Sequence, residues 1–187
     1  MFNPYLNSLE LLHRNDEDTV IKKYKVAIRL SNNIREVEVK YLHFLARRLN
    51  KHLLNEPLPE DYNEVWPKNV GIFREQITEL IQKSRVGVSE EETKALFNDY
   101  YQLWIEVEEN IVKDKDSVCQ LYENILKDSS QLHKYEDYAS SLVNFGALKE
   151  AKNTLKRYIH HAGDAKSRHV YLNFIALYGT IDDRVEF

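Results

Sequence analysis

The 187-residue sequence predicts an all-α protein in which helix pairs stack into a solenoid, and three observations carry that prediction. Five glycines and four prolines are too few for a turn-rich sheet fold, while the Leu, Lys, Glu and Asn content favours helix. Apolar residues recur at spacings of three and four, the mark of one buried helix face. Two phrases, "FGALKEA" at 145–151 and "YGTIDDR" at 178–184, repeat one pattern at an offset of 33 residues. A period in the thirties is the signature of stacked helical hairpins.

The elements follow in chain order. In "TVIKKYKVAIRLSNNIREVEVKYLHFLARRL", Val20, Tyr24 and Ile28 form one apolar stripe and Val37 opens the next helix. Pro57, Pro59 and Pro67 then interrupt the helices, which predicts a proline-containing loop between repeats at about 54–68. Helix resumes with Phe73, Ile77, Leu80 and Ile81. Ser89 and Glu92 stand at capping-box spacing before a long helix whose stripe is Leu96, Tyr100, Leu103, Val107 and Ile111.

After "KDKD", Asp116 is a cap for a helix that buries Val118, Leu121, Tyr122, Ile125 and Leu126. A further helix, at about 131–144, carries Leu132, Tyr135, Tyr138 and Leu142, and Gly146 lets it stop in a left-handed turn. The next buries Leu148, Ala151, Leu155, Tyr158 and Ile159 and ends at Gly163; the one after runs over about 166–178. A last helix begins at Ile181 and is cut short, leaving an incomplete repeat at 166–187.

The offset of 33 lays Tyr138 on Tyr171, Leu142 on Ile175, Gly146 on Gly179 and Leu148 on Ile181. An offset of 98, close to three periods, lays Val20, Tyr24, Ile28 and Val37 on Val118, Tyr122, Leu126 and Tyr135. The whole chain, 1–187, therefore reads as a single helical-repeat domain. One hairpin cannot bury enough surface to fold alone, so each must lean on its neighbours.

These residues resemble the half-a-TPR (HAT) repeat, over about two thirds of the chain. Tyr122, Glu123, Ile125 and Leu126 match its "Tyr-Glu-Arg-Ala-Leu"-like phrase, and Tyr135 and Tyr138 its aromatics three apart. Trp104 matches the Trp-x-x-aromatic-x-x-x-Glu opening, with Val107 in the aromatic slot and Glu108 or Glu109 near the acid; Tyr135 and Tyr171 replace the usual tryptophan. The tetratricopeptide signature Trp-x-x-Leu-Gly is absent. The resemblance implies a right-handed solenoid of antiparallel helix pairs. It also implies a non-catalytic, protein-binding scaffold in a nuclear RNA-processing complex serving splicing, 3′-end formation or ribosomal RNA processing.

The residues that carry chemistry are few. With one cysteine, Cys119, no disulfide or cysteine metal cluster is expected within the chain, and a reducing compartment, cytosol or nucleus, fits; the resemblance implies the nucleus, with cytoplasm as the alternative. His160 and His161 are adjacent and point about 100° apart, so no metal site is expected. No phosphate loop, nucleophile elbow or zinc-protease motif occurs, and neither an enzyme, a cofactor nor a small-molecule substrate is expected. The N-terminus lacks a signal peptide and no apolar run spans a bilayer, so no membrane partner is expected.

Three surfaces stand out. Lys149, Lys152, Lys156 and His160, with Arg157 beside them, line the side of their helix opposite the core and are candidates to neutralise RNA phosphates. Lys22, Lys23, Lys25 and Arg29, with Arg47 and Arg48, form a second basic candidate. Tyr171, Phe174, Ile175 and Tyr178 are candidates for protein binding, because the short last helix leaves them an uncovered aromatic face that recruits a partner subunit or a second copy. The readings to separate are thus a scaffold, direct RNA binding, and a TPR-like cytoplasmic adaptor for peptides.

Overall fold

The computed structural model describes residues 16–30, 34–54, 62–84, 90–127 and 129–179. Among them every regular element is helical: α1 Glu17–Leu30, α2 Ile34–Leu54, α3 Tyr62–Ser84, α4 Glu90–Val107, α5 Lys115–Ile125, α6 Lys134–Asn144, α7 Leu148–Ala162 and α8 Ala165–Tyr178. The all-α expectation holds. The chain forms two compact units, Met1–Val107 and Glu108–Phe187.

In the first unit α1 packs on α2, α2 on α3 and α3 on α4. Val20 and Tyr24 of α1 are buried with Tyr41, Leu42, Leu45 and Leu49 of α2 and Phe73 and Ile77 of α3. The Tyr24 ring stacks on Tyr41 at 5.4 Å and on Phe44 at 5.6 Å. The Tyr100 hydroxyl of α4 donates to the Glu38 carboxylate at 3.1 Å.

The proline segment differs from expectation. Residues 62–68, read as the end of a loop, are the first turns of α3, and Pro67 lies inside that helix. Proline removes one ladder hydrogen bond and crowds the preceding turn. The helix persists because Val70, Phe73, Ile77, Leu80 and Ile81 are buried along one side of it. Pro57, Pro59, Ser89 and residues 181–187 lie outside the described residues, as do the side chains of Glu92 and Leu96.

The second unit opens with a π-helical turn, Glu108–Val112, then Lys113 in a left-handed conformation (φ 63°). This turn brings the chain to helix two residues before the expected cap. Asp114, not Asp116, caps α5, its carboxylate accepting from the Ser117 N–H at 3.1 Å. A short 3₁₀ turn, Ser129–Gln131, precedes α6. α5 packs on α6, α6 on α7 and α7 on α8.

Tyrosine rings mark these contacts. Tyr122 of α5 stacks on Tyr138 of α6 at 4.9 Å, and Tyr135 of α6 on Tyr158 of α7 at 5.6 Å. A polar cluster joins the opening turn to α5 and α6: Ser141 donates to Glu109 at 2.8 Å and shares a hydrogen bond with the Tyr122 hydroxyl at 3.3 Å, while Asn144 donates to Glu109 at 2.7 Å. Burial pushes the Tyr122 phenol up to about 12.

Candidate functional site

The basic stripe and the aromatic face lie on α7 and α8; of the second basic candidate, Lys22, Lys25 and Arg29 are exposed on α1 and Arg47 on α2, while Lys23 and Arg48 are half-buried. Glycine sets the limits of α7: Gly146 and Gly163 have φ of 72° and 64°, a region that costs other residues a clash with their own carbonyl. The Gly163 N–H caps the Ile159 carbonyl, and Asp164 then starts α8 by accepting from the Ser167 N–H at 2.7 Å. That bond holds the Asp164 carboxyl below its ordinary range.

α7 buries Ala151, Thr154, Leu155 and Tyr158. Leu148, expected in that stripe, is exposed, since it stands in the first turn beside the Gly146 bend. On the other side Lys149, Lys156 and His160 are exposed and Lys152 is half-buried, which places four members of the basic stripe on one face.

Arg157 behaves differently. Its guanidinium grips the Glu123 carboxylate of α5 with two hydrogen bonds, at 2.5 and 2.9 Å, and lies 5.5 Å from the centre of the Tyr135 ring. This pairing raises the Arg157 pKa and lowers that of Glu123. Arg157 therefore ties α7 to α5, and its fork is occupied by a carboxylate rather than offered to phosphate.

Further polar links cross the unit. Lys115, in the first turn of α5, pairs with Glu150, in the first turn of α7, at 2.8 Å. Lys166 of α8 pairs with Glu136 of α6 at 2.7 Å, and the Tyr158 hydroxyl donates to the same carboxylate at 3.2 Å. Each of these bonds to Glu136 raises the pKa of its donor, although burial is the larger cause for Tyr158.

The aromatic face is corrected in part. Tyr171, Phe174 and Ile175 are buried, because α8 packs on α7; only Tyr178 of the four is exposed. The apolar residues that α8 does show to solvent are Leu172, Leu177 and Tyr178, Leu177 being 75% exposed. Reasoning from periodicity missed the two leucines, because the stronger three-and-four stripe of aromatics drew attention to the buried side. Leu172 and Leu177, five residues apart, point about 140° from each other and so flank the buried side of α8.

His160 and His161 meet edge to face, ring centres 5.5 Å apart, and His161 stacks on Tyr135 at 6.0 Å. Among the described residues no group of three or more His, Cys, Asp or Glu side chains is arranged to hold a metal ion. Nor is any described helix long and apolar enough to cross a membrane. Cys119 is half-buried in α5.

No protein-family model, curated protein or solved structure matches the chain. The half-a-TPR resemblance rests on the repeated residues themselves.

Proposed function

We propose that the chain is a non-catalytic scaffold, a right-handed solenoid of antiparallel helix pairs like that of half-a-TPR proteins, which binds protein subunits of a nuclear RNA-processing particle. The observation that carries this reading is the spacing of the links in the second unit. Lys115 to Glu150 joins the first turns of α5 and α7, and Glu123 to Arg157 joins the same two helices eight and seven residues further on. On this reading α5 and α7 run side by side in one direction, with α6 returning between them. Partners some 35 residues apart in sequence are what a stack of repeated helix pairs requires.

Exposed apolar side chains on α8, Leu172 on one flank and Leu177 with Tyr178 towards the other, give a partner subunit or a second copy apolar contacts. Immunoprecipitation from cells, with and without ribonuclease, tests the reading against a Leu172→Glu/Leu177→Glu variant. Protein partners that resist ribonuclease and are lost in the variant support the scaffold.

A second reading has its own support. Residues 145–179 hold six basic and two acidic side chains in a chain of net charge −4. Partners that disappear with ribonuclease, and on reversing the charge of Lys149, Lys152 and Lys156, favour direct RNA binding instead.

A further inference from the structure

Among the described residues, none covers the outer face of α1. Its inner side is anchored by Val20 and Tyr24, both buried, with the Tyr24 ring stacked on Tyr41 and Phe44 of α2. On the other side Lys22, Lys25, Val26, Arg29 and Leu30 stand at i, i+3, i+4, i+7 and i+8, so they share one face over about 12 Å of helix. Val26 is 52% and Leu30 78% exposed, one turn apart, and Lys22, Lys25 and Arg29 are exposed around them.

We propose that this face docks an acidic amphipathic helix of a partner protein: two aliphatic side chains of the partner pack between Val26 and Leu30, and carboxylates on its flanks meet Lys22, Lys25 and Arg29. This inference gives a partner chemistry to the scaffold reading and rests on it.

Charge complementarity decides the sign of the occupant, since the three cations around the apolar pair outnumber the one exposed acid that the described residues place on that face, Asp18, one turn before Lys22. The helical shape follows from the spacing of the pair, because side chains four residues apart form a ridge that fits the groove of another helix. A nucleic acid strand fits less well: base stacking needs exposed aromatic rings, and the one ring of α1, Tyr24, faces the core. A membrane surface fits less well too. Interfacial helices insert a broad apolar face, whereas that of α1 is buried against α2 and only two aliphatic residues remain outside.

The test uses the full chain and a capped, fluorescent 15-residue helical peptide with two leucines four residues apart and glutamates on both flanks. Anisotropy titration is expected to show saturable binding that weakens as salt rises from about 0.05 to 0.5 M. Lys22→Glu/Lys25→Glu/Arg29→Glu and Val26→Ser/Leu30→Ser are each expected to weaken it about tenfold or more. All five positions are exposed, so these variants keep the fold.

Equal binding of a peptide with lysine in place of glutamate, or with serine in place of leucine, overturns the proposal. So does tighter binding of phosphatidylserine vesicles, or of a single-stranded RNA 20-mer, that depends on the same five residues. A chain that ignores every peptide yet keeps ribonuclease-resistant partners through α8 overturns this inference and leaves the scaffold standing. Peptide binding of the expected kind, without such partners, supports the α1 face while removing the scaffold.

Discussion

Arg157 was legible in the sequence as a basic residue beside a lysine stripe, but its partner was not. Glu123 lies 34 residues away, and only packing of α7 in register with α5 brings the two together. Both side chains remain more than 40% exposed, so water screens the pair and its net contribution is below about 1 kcal/mol. The sign of its pH dependence is fixed by Glu123, whose folded pKa is depressed chiefly by the Arg157 hydrogen bond. Such a group stabilises the fold above its unfolded value, near 4.3, and that contribution is lost as pH falls through the lower, folded value. Glu123→Gln is therefore expected to lower stability slightly at pH 7 and to match the native chain near pH 3 in urea titrations. Arg157→Ala should remain the less stable of the two at both pH values, because it also uncovers the Tyr135 ring.

At the scale of elements, the apolar stripes were the readable part. Val118, Leu121, Tyr122, Ile125, Tyr135, Tyr138, Leu142, Ala151, Leu155 and Tyr158 are buried as their spacing predicts. Boundaries were harder wherever a local signal competed with packing. Pro67 argued for a loop and lost to the buried face of α3; Asp116 argued for a cap, but the π-turn delivered the chain to helix at Asp114 instead. Glycine shows the same division. Gly71 lies exposed within α3 and a β-carbon there meets nothing within 4 Å, so Gly71→Ala should stabilise the protein by about 0.5–1 kcal/mol through helix propensity. Gly146 is equally open in space, yet its φ of 72° makes Gly146→Ala unfavourable by about 1–2 kcal/mol. Thermal melts of the two variants should move in opposite directions, by a few degrees each.

For the whole molecule, the repeating pattern in the sequence carries no sign of the two compact units the chain forms. A repeating pattern tells that neighbours resemble one another; it does not tell where contacts between them thin out. The break between Val107 and Glu108 falls where helix α4 gives way to the π-turn, a change with no marker in "IEVEENIV". The division has a testable consequence, because a set of specific interactions lies within the second unit. Its tyrosine stacks join α5 to α6 and α6 to α7, its ion pairs join α5 to α7 and α6 to α8, and Glu109 is held by Ser141 and Asn144. A fragment of residues 108–187 is therefore expected to fold by itself, with a helical circular dichroism spectrum and one cooperative melt. Breaking the Glu109 cluster with Ser141→Ala, which removes the hydroxyl shared by Glu109 and Tyr122, should lower that melt in the fragment and in the full chain alike. A fragment that is unfolded, or whose melt ignores Ser141→Ala while the full chain responds, would show that the second unit draws its stability from residues before 108.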